Sequence, residues 1–534
     1  MTMRDLMQEK QGKPLRAWYF YVICAAITAV LFLAAPGTGN GYPWLYLGIF
    51  IILILALRPG SHLHSRTMES TAPYQTICTV LIAIITIAVC ILPMDKLPLW
   101  NGEIPGHRNQ YELMTEAILE GRIDFAYGDE ETLLQLENPY DPIERKEARV
   151  FYHWDHAYYN GHYYMYFGIV PVFLAFLPYR VLTGVSLTTF HATQWFVAAA
   201  IAGIFALFHL LSNCFFRKLP YSAYVALSVA FSVMSVWYST AEPALYCTAI
   251  TSAIALMVWS LYFFAWAVWK EKRENRQILL ATVGAAFGAL AFGCRPPIAL
   301  ANLLVIPLLV VFLKEHKFTW KLLGKLFLAA LPYAVVAAAL MWYNNTRFDS
   351  PFEFGQAYQL TVADQSNYRF TLDTDTVLRI INETAKNFFS VGSIRAAFPY
   401  LHTSSVFFNF PILLLCVGLL RSDVIRNMRK VKLLPFVITL CATVFLISAM
   451  DIIWSPYLLE RYRMDIYFLM GILCFIIIGM WFNTCEPKPR KRLCSAVTVF
   501  SLITVVSAFL LCIQTVGVYY PKHVTAIAEA LHLL

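Results

Sequence analysis

Runs of about 18–25 apolar residues recur along most of this 534-residue chain, and each is long enough to cross a hydrocarbon core of roughly 30 Å. No other feature limits the fold so strongly. Only 14% of the residues are charged, against roughly 25% in a soluble domain. That is too little polar side chain to cover a globular surface of this size, so lipid must cover much of it. The expected class is an all-α, polytopic integral membrane protein. Spans are predicted at about 17–35, 43–57, 75–93, 189–212, 221–238, 244–268, 278–294, 297–314, 321–343, 405–420, 432–450, 463–482 and 493–516, about 13 in all. No 20–50-residue repeat is visible.

Charge placement orients these spans. Arg4, Lys10, Lys13 and Arg16 precede the first apolar run and hold the N-terminus inside. That run is long enough to stay in the membrane rather than be cleaved as a signal peptide. Segment 165–184 decides the parity of everything after it. If it crossed, KEKRENR (270–276), RSDVIRNMRKVK (421–432) and KPRKR (488–492) would lie outside. It contains Pro171 and Pro178, which remove backbone donors and break helices. It is therefore expected to half-insert at the outer face, a path tolerated where backbone lines protein or a cavity. The basic loops then lie inside, and the C-terminus, 95–188 and 344–404 lie outside. The formal charge of +8 follows from these inner loops and calls for no nucleic acid. The 12 cysteines fall mostly within apolar runs without a CxxC pair, as small packing residues do.

The polar chemistry is concentrated in 95–188. Tyr111, Met114, Ile118 and Leu119 share one face of a helix, expected to lie in the membrane interface with its apolar side in lipid. Glu112, Glu116 and Glu120 lie off that face. They are either a solvated surface or, at Glu112, a catalytic carboxylate. Asp141 in ENPYDP (137–142) either caps a turn or serves as an acid. Asp155 sits in HWDHAYYNGHYYMYFG (153–168), where an acid among imidazoles and phenols is a credible general base. Tyr163 and Tyr164 suit a membrane interface and equally a sugar platform. His153, His156 and His162 would suit a metal only if the backbone folded them together, and no HExxH frame is present. The cofactor stays open: a divalent metal is compatible with the sequence and not required by it.

Charges also stand at the outer ends of spans. Arg295 lies in GCRPP, and Arg461, Arg463 and Asp465 open the span near 463–482. Ionisable residues there either snorkel to headgroups or face a polar interior. An arginine facing inward offers paired, charge-assisted bonds to a phosphate. NNTRFDSPFEFGQAYQLT (344–361) adds Arg347, Glu353, Tyr358 and Gln359.

Taken together, the motifs resemble the GT-C superfamily of integral-membrane glycosyltransferases, which includes protein O-mannosyltransferases and the aminoarabinose and arabinosyl transferases. The likeness to bacterial members rests on Gln110-Tyr111, Asn138–Pro142, Asp155 through Pro171 as D-x-x-x-Y-x-G-x-Y-Y-x-Y-x-G-x-x-P, and Gly293 through Pro296 as G-x-R-P. It continues through Tyr343–Leu360 and through Arg461-Tyr462 with Asp465, covering roughly 75–480. The resemblance implies a module over 75–484 with large outer loops and interfacial helices. Residues 1–74 would be an added helical hairpin, and 485–534 a C-terminal span and tail. It also implies a polyprenyl-phosphate-linked sugar as donor, an envelope glycan or lipid as acceptor, and chemistry at the outer face of a bacterial inner membrane. In many members an Asp or Asp-Glu pair soon after the first module helix is the base. Here that region reads His107-Arg108-Asn109-Gln110, with Glu103 and Glu112 nearby, a departure that raises Asp155. Rival readings are a flippase or transporter of lipid-linked saccharides, for which paired inverted halves do not stand out, and a non-catalytic assembly partner with the same fold.

Overall fold

In the computed structural model of the protein, the residues described are 51, 66–68, 73–91, 109–128, 130–243, 245–366, 373–392, 401–454 and 459–519. The expected spans at 17–35 and 43–57, almost all of the 1–74 hairpin, and Glu103 lie outside them. Among the described residues, nine helices are long and apolar enough to cross a membrane: Thr189–Phe215, Tyr221–Ala241, Leu245–Lys270, Glu274–Phe292, Pro296–Glu315, Trp320–Phe348, Leu434–Ile453, Glu460–Thr484 and Pro487–Thr515. Each coincides with an expected span. Two further expected spans, 75–93 and 405–420, correspond to shorter apolar helices, Gln75–Ile91 and Pro411–Leu420. The fold is that of an all-α, multi-pass membrane protein.

The helices sort by what surrounds them. Tyr221–Ala241 is buried along its whole length and Met464–Thr484 nearly so. Both are enclosed by protein: Tyr221–Ala241 mixes apolar side chains with small hydroxyls such as Ser228 and Ser232, and Met464–Thr484 is largely apolar with one buried carboxyl, Asp465. Phe475 of Met464–Thr484 stacks on Phe208 of Thr189–Phe215 at 3.9 Å. Trp320–Phe348, by contrast, leaves Phe327, Leu328, Val335 and Trp342 exposed, the surface of a peripheral helix.

The basic loops converge on one end of the bundle. Asn483 donates to the Phe215 carbonyl at 2.6 Å and accepts from the Lys218 amide. Arg490 reaches the Lys218 carbonyl, and Tyr221 N donates to Arg66 O at 2.8 Å. Trp269 packs on both Phe215 and Phe436. Lys325 pairs with Glu274, and Lys432 approaches Glu315 at 3.6 Å. The far ends of the same helices carry Tyr246, Arg295, Arg347 and Arg461.

Segment 109–187 packs at that far end. Asn109 caps Gln110–Leu119 through the amides of Tyr111 and Glu112. The apolar face of this helix is a correction to the sequence reading. Tyr111 and Met114 are fully buried against protein, and Tyr111 stacks on Phe176 at 5.1 Å. Burying each large side chain stabilises by about 1.5–3 kcal/mol, and protein supplies that surface. Segment 165–184 forms a π-helical turn, Val172–Phe176, preceded by Pro171, and then a helix, Leu177–Thr183. At 1.5 Å per residue, twelve such residues span only about 18 Å, too short to cross.

One small sheet interrupts the helices. Strands Ala157–Tyr159 and His162–Tyr164 pair antiparallel, Tyr158 opposite Tyr163. Asn160 and Gly161, both with positive φ, make the turn. Segment 344–361 joins this hairpin: Tyr158 N donates to Tyr358 O, Leu360 N to His156 O, and Asp155 N to Leu360 O at 3.0 Å. Beyond the hairpin, Gly168 crosses Gly293 with backbone in direct contact, and Val170 N donates to Gly293 O at 3.0 Å. A Cβ on Gly168 would overlap the Gly293 and Cys294 carbonyls. This crossing seats the loop bearing Arg295 against segment 109–187.

Candidate active site

A cavity of about 580 Å³ opens where these elements meet, lined among others by Trp154, Asp155, Tyr166, Tyr246, Arg295, Arg347, Gln359, Gln365, Asp451, Arg461 and Tyr462. Asp155 is held by four bonds from three elements. Its backbone N–H binds Leu360 O, and its carbonyl accepts from Gln110 Nε2 at 2.8 Å. Its Oδ1 accepts from Gln359 Nε2 at 3.0 Å, and Tyr246 donates its phenol to Oδ2. A chain of amides fixes that glutamine: Gln356 donates to Gln365 Oε1 and Gln365 donates to Gln359 Oε1. Asp155 takes φ +56, a left-handed conformation that Asp tolerates better than most residues at a cost of order 1–2 kcal/mol. Burial pushes its carboxyl above the usual value, opposed by the Tyr246 bond and the charge of Arg461.

Arg461 lies across the same tyrosine. It follows Glu460 in a short 3-10 turn ahead of Met464–Thr484, and its guanidinium sits 4.0 Å from the Tyr246 ring centre. Among the described residues it has no ion pair. Arg295 is already neutralised. Its Nε meets Asp465 Oδ2 at 2.6 Å, and Asp465 is wholly buried. Asp451, from the neighbouring Leu434–Trp454 helix, adds a second carboxyl beside this pair.

Arg347 stands in the last turn of Trp320–Phe348 and is only 4% exposed. Its Nη1 donates to Met165 O at 2.7 Å and its Nη2 to Asn344 Oδ1 at 2.8 Å, while its plane covers Tyr343 at 3.8 Å. Among the described residues the Nε has no hydrogen-bond partner. Both bonded acceptors are neutral. A helix C-terminus returns about 0.3–2 kcal/mol to a cation, less than the several kcal/mol of taking an ion out of water.

The other residues singled out from sequence lie apart from the cavity lining. Glu112 accepts from Asn109 Nδ2 at 2.6 Å at its own helix start. Asp141 caps Pro142–Glu147 by accepting from Ile143 N at 2.8 Å. That ENPYDP turn is pinned by buried Arg145, which donates to Pro139 O and Thr361 O. Tyr163 is buried against Tyr127 and His153, Tyr164 against Phe348, and Tyr358 packs on Tyr159 at 4.5 Å. Arg463 turns to Asn387, donating at 2.9 Å. Asp465 backs the cavity through Arg295.

His153 and His156 both engage Tyr127, while His162 engages Asp124. His156 Nε2 bonds Tyr127 OH at 2.8 Å, and burial pushes its pKa down to about 4, so it is neutral at pH 7. His153 stacks on Tyr127, and His162 meets Asp124 at 3.1 Å. Among the described residues, no three His, Cys, Asp or Glu side chains are grouped to hold a metal ion.

Sequence reading missed Tyr246 and Asp451. Tyr246 looks like any interfacial tyrosine at a helix end. Asp451 carried a usable signal, an acid at the edge of an apolar run. A second, apolar cavity of about 470 Å³ adjoins the first, sharing Ile169, Leu340 and Tyr343 with it and walled by Ile118, Phe173, Leu290 and Trp342.

Fold and site together define a polytopic helical membrane protein with an acid–guanidinium cavity at one end of its bundle. No family model and no curated protein matches the chain. Among solved structures it is similar to the apo crystal structure of the Archaeoglobus fulgidus oligosaccharyltransferase, at 11% identity and a TM-score of 0.38, over 86% of this chain. The chain spans 56% of the length of that protein.

Proposed function

We propose that the protein is a membrane glycosyltransferase that moves a sugar from a polyprenyl-phosphate donor to an envelope glycan or lipid. One observation carries this reading: Asp155 and Arg461 contact one tyrosine, Tyr246, from its hydroxyl and its ring face, inside one cavity. Transfer needs a proton acceptor for the attacking hydroxyl and a cation for the leaving phosphate. The acceptor oxygen bonds to the anomeric carbon while its proton passes to Asp155. The bond from that carbon to the phosphate oxygen breaks, and the phosphate keeps the electron pair beside Arg461. The adjoining apolar cavity suits a prenyl chain. The motif resemblance supports the donor class.

The reading is tested in cells. Deleting the gene is expected to remove one sugar mass from an envelope glycan or lipid in mass spectra. The parent gene restores it and an Asp155→Asn copy does not. Identical envelope spectra in the presence and absence of the gene would overturn the reading.

The cavity is proposed to face the outside, because it lies at the bundle end away from the basic loops. In a cysteine-depleted background, Leu134→Cys and Val391→Cys, both exposed, are expected to react with an impermeant maleimide in intact cells, and Lys272→Cys only after lysis. The reverse pattern would place the chemistry inside.

A further inference from the structure

Two guanidinium groups reach the cavity with no ion pair among the described residues, and they come from different elements. Arg461 enters from the turn before Met464–Thr484 and rests on Tyr246. Arg347 enters from the end of Trp320–Phe348, more than nine-tenths buried, its plane fixed on Tyr343. Arg347 does hold Met165 O and Asn344 Oδ1. Those two bonds need two N–H groups and not a charge. Its buried Nε is left without a hydrogen-bond partner among the described residues. A buried cation whose hydrogen-bond partners are neutral, and on which Glu353 acts without an ion pair among the described residues, is completed by an anion. Arg461 alone serves one phosphate, and Arg295 already has Asp465.

We infer that Arg347 forms a second anion position in this cavity, and that the donor carries a second acidic group within short reach of the phosphate bonded to its sugar. This deepens the transfer reading and rests on it. The chemistry is an oxyanion met by a guanidinium. Its source is either the outer phosphoryl group of a diphosphate link or a carboxylate on the sugar.

The experiment measures binding to the full-length protein in detergent. One probe pair is undecaprenyl phosphate and undecaprenyl diphosphate; the other is glucose 1-phosphate and glucuronic acid 1-phosphate. The parent is expected to prefer the doubly acidic member of one pair by roughly tenfold or more. Arg347→Gln keeps hydrogen-bonding groups and loses the charge, so the preference should collapse toward one. Arg347→Lys keeps the charge without the planar fork and should retain part of it. Loss of preference confined to the lipids assigns a diphosphate, and loss confined to the sugar phosphates assigns an acidic sugar. A parent that binds both members of each pair equally overturns the inference, as does a preference that Arg347→Gln leaves intact. If Arg347→Gln fails to fold, Arg347→Lys decides: a full loss of preference there, with charge retained, overturns it. Binding of neither lipid by the parent overturns the transfer reading itself.

Discussion

Asp155→Asn is expected to lower sugar transfer by roughly 10²–10⁴-fold, the usual cost of removing a general base, while the protein purifies as the parent does. The amide keeps the shape and loses the proton acceptor. Tyr246 still donates to the retained oxygen and the bonds from the Asp155 backbone to Leu360 and Gln110 are untouched, so only the bond from Gln359 is given up. The pH profile separates this role from a structural one. A carboxylate base works only when deprotonated, and burial holds the Asp155 carboxyl above the ordinary value of about 3.9. The acid limb of the rate should therefore lie above that value. Tyr246→Phe keeps the ring under Arg461 but removes a donor that favours the carboxylate, so the limb should move further up. Glu112→Gln is the control, because Glu112 serves its own helix start through Asn109. Parent-rate transfer by Asp155→Asn with loss in Glu112→Gln would reassign the base. Full activity in both would end the outer-loop mechanism.

Much of this arrangement was legible in one dimension, and the limits have physical causes. Span positions follow from apolar length alone, which is why the nine long helices fall where the apolar runs do. Arg295 and Arg461 stood out because charge is scarce at the ends of apolar runs, Asp155 because it is an acid among imidazoles and phenols, and all three line one cavity. Glu112 and Asp141 stood out for a different reason. A capping carboxylate and a catalytic one leave the same local pattern, an acid at a turn or helix start, and only three dimensions separate them. The helix at 110–119 teaches a related point. Its 3.6-residue period correctly put Tyr111 and Met114 on a buried face, but periodicity does not say what covers a face, and the cover is Phe176 and its neighbours rather than lipid. The hairpin at 157–164 had a signal in Asn160-Gly161 between tyrosines, hidden among residues read as interfacial aromatics. Tyr246 had none, since a phenol reaching an acid 91 positions away leaves no trace in local spacing.

Arg461→Ala is expected to weaken binding of undecaprenyl phosphate by about 1.5–3 kcal/mol, a factor of roughly 10–150 in Kd. Arg461 is a cleaner probe than Arg295 because of what each removal leaves behind. Arg295→Ala would strand the wholly buried Asp465 carboxylate, and breaking a buried pair costs about 3–5 kcal/mol of stability. Weak binding by that variant would not separate a lost ligand contact from a damaged fold. Among the described residues Arg461 has no ion pair to break, and its loss forfeits mainly the stacking on Tyr246, about 0.5–2 kcal/mol, and its more distant charge on Asp155. The thermal midpoint in detergent should therefore fall only a few degrees while affinity falls tenfold or more. Arg461→Lys should recover little, since an ammonium offers neither the flat face that covers Tyr246 nor a paired fork for a phosphate. If Arg461→Ala binds the lipid phosphate as the parent does, the leaving group is held elsewhere, and the pairing of Arg461 with Asp155 across Tyr246 loses its catalytic meaning.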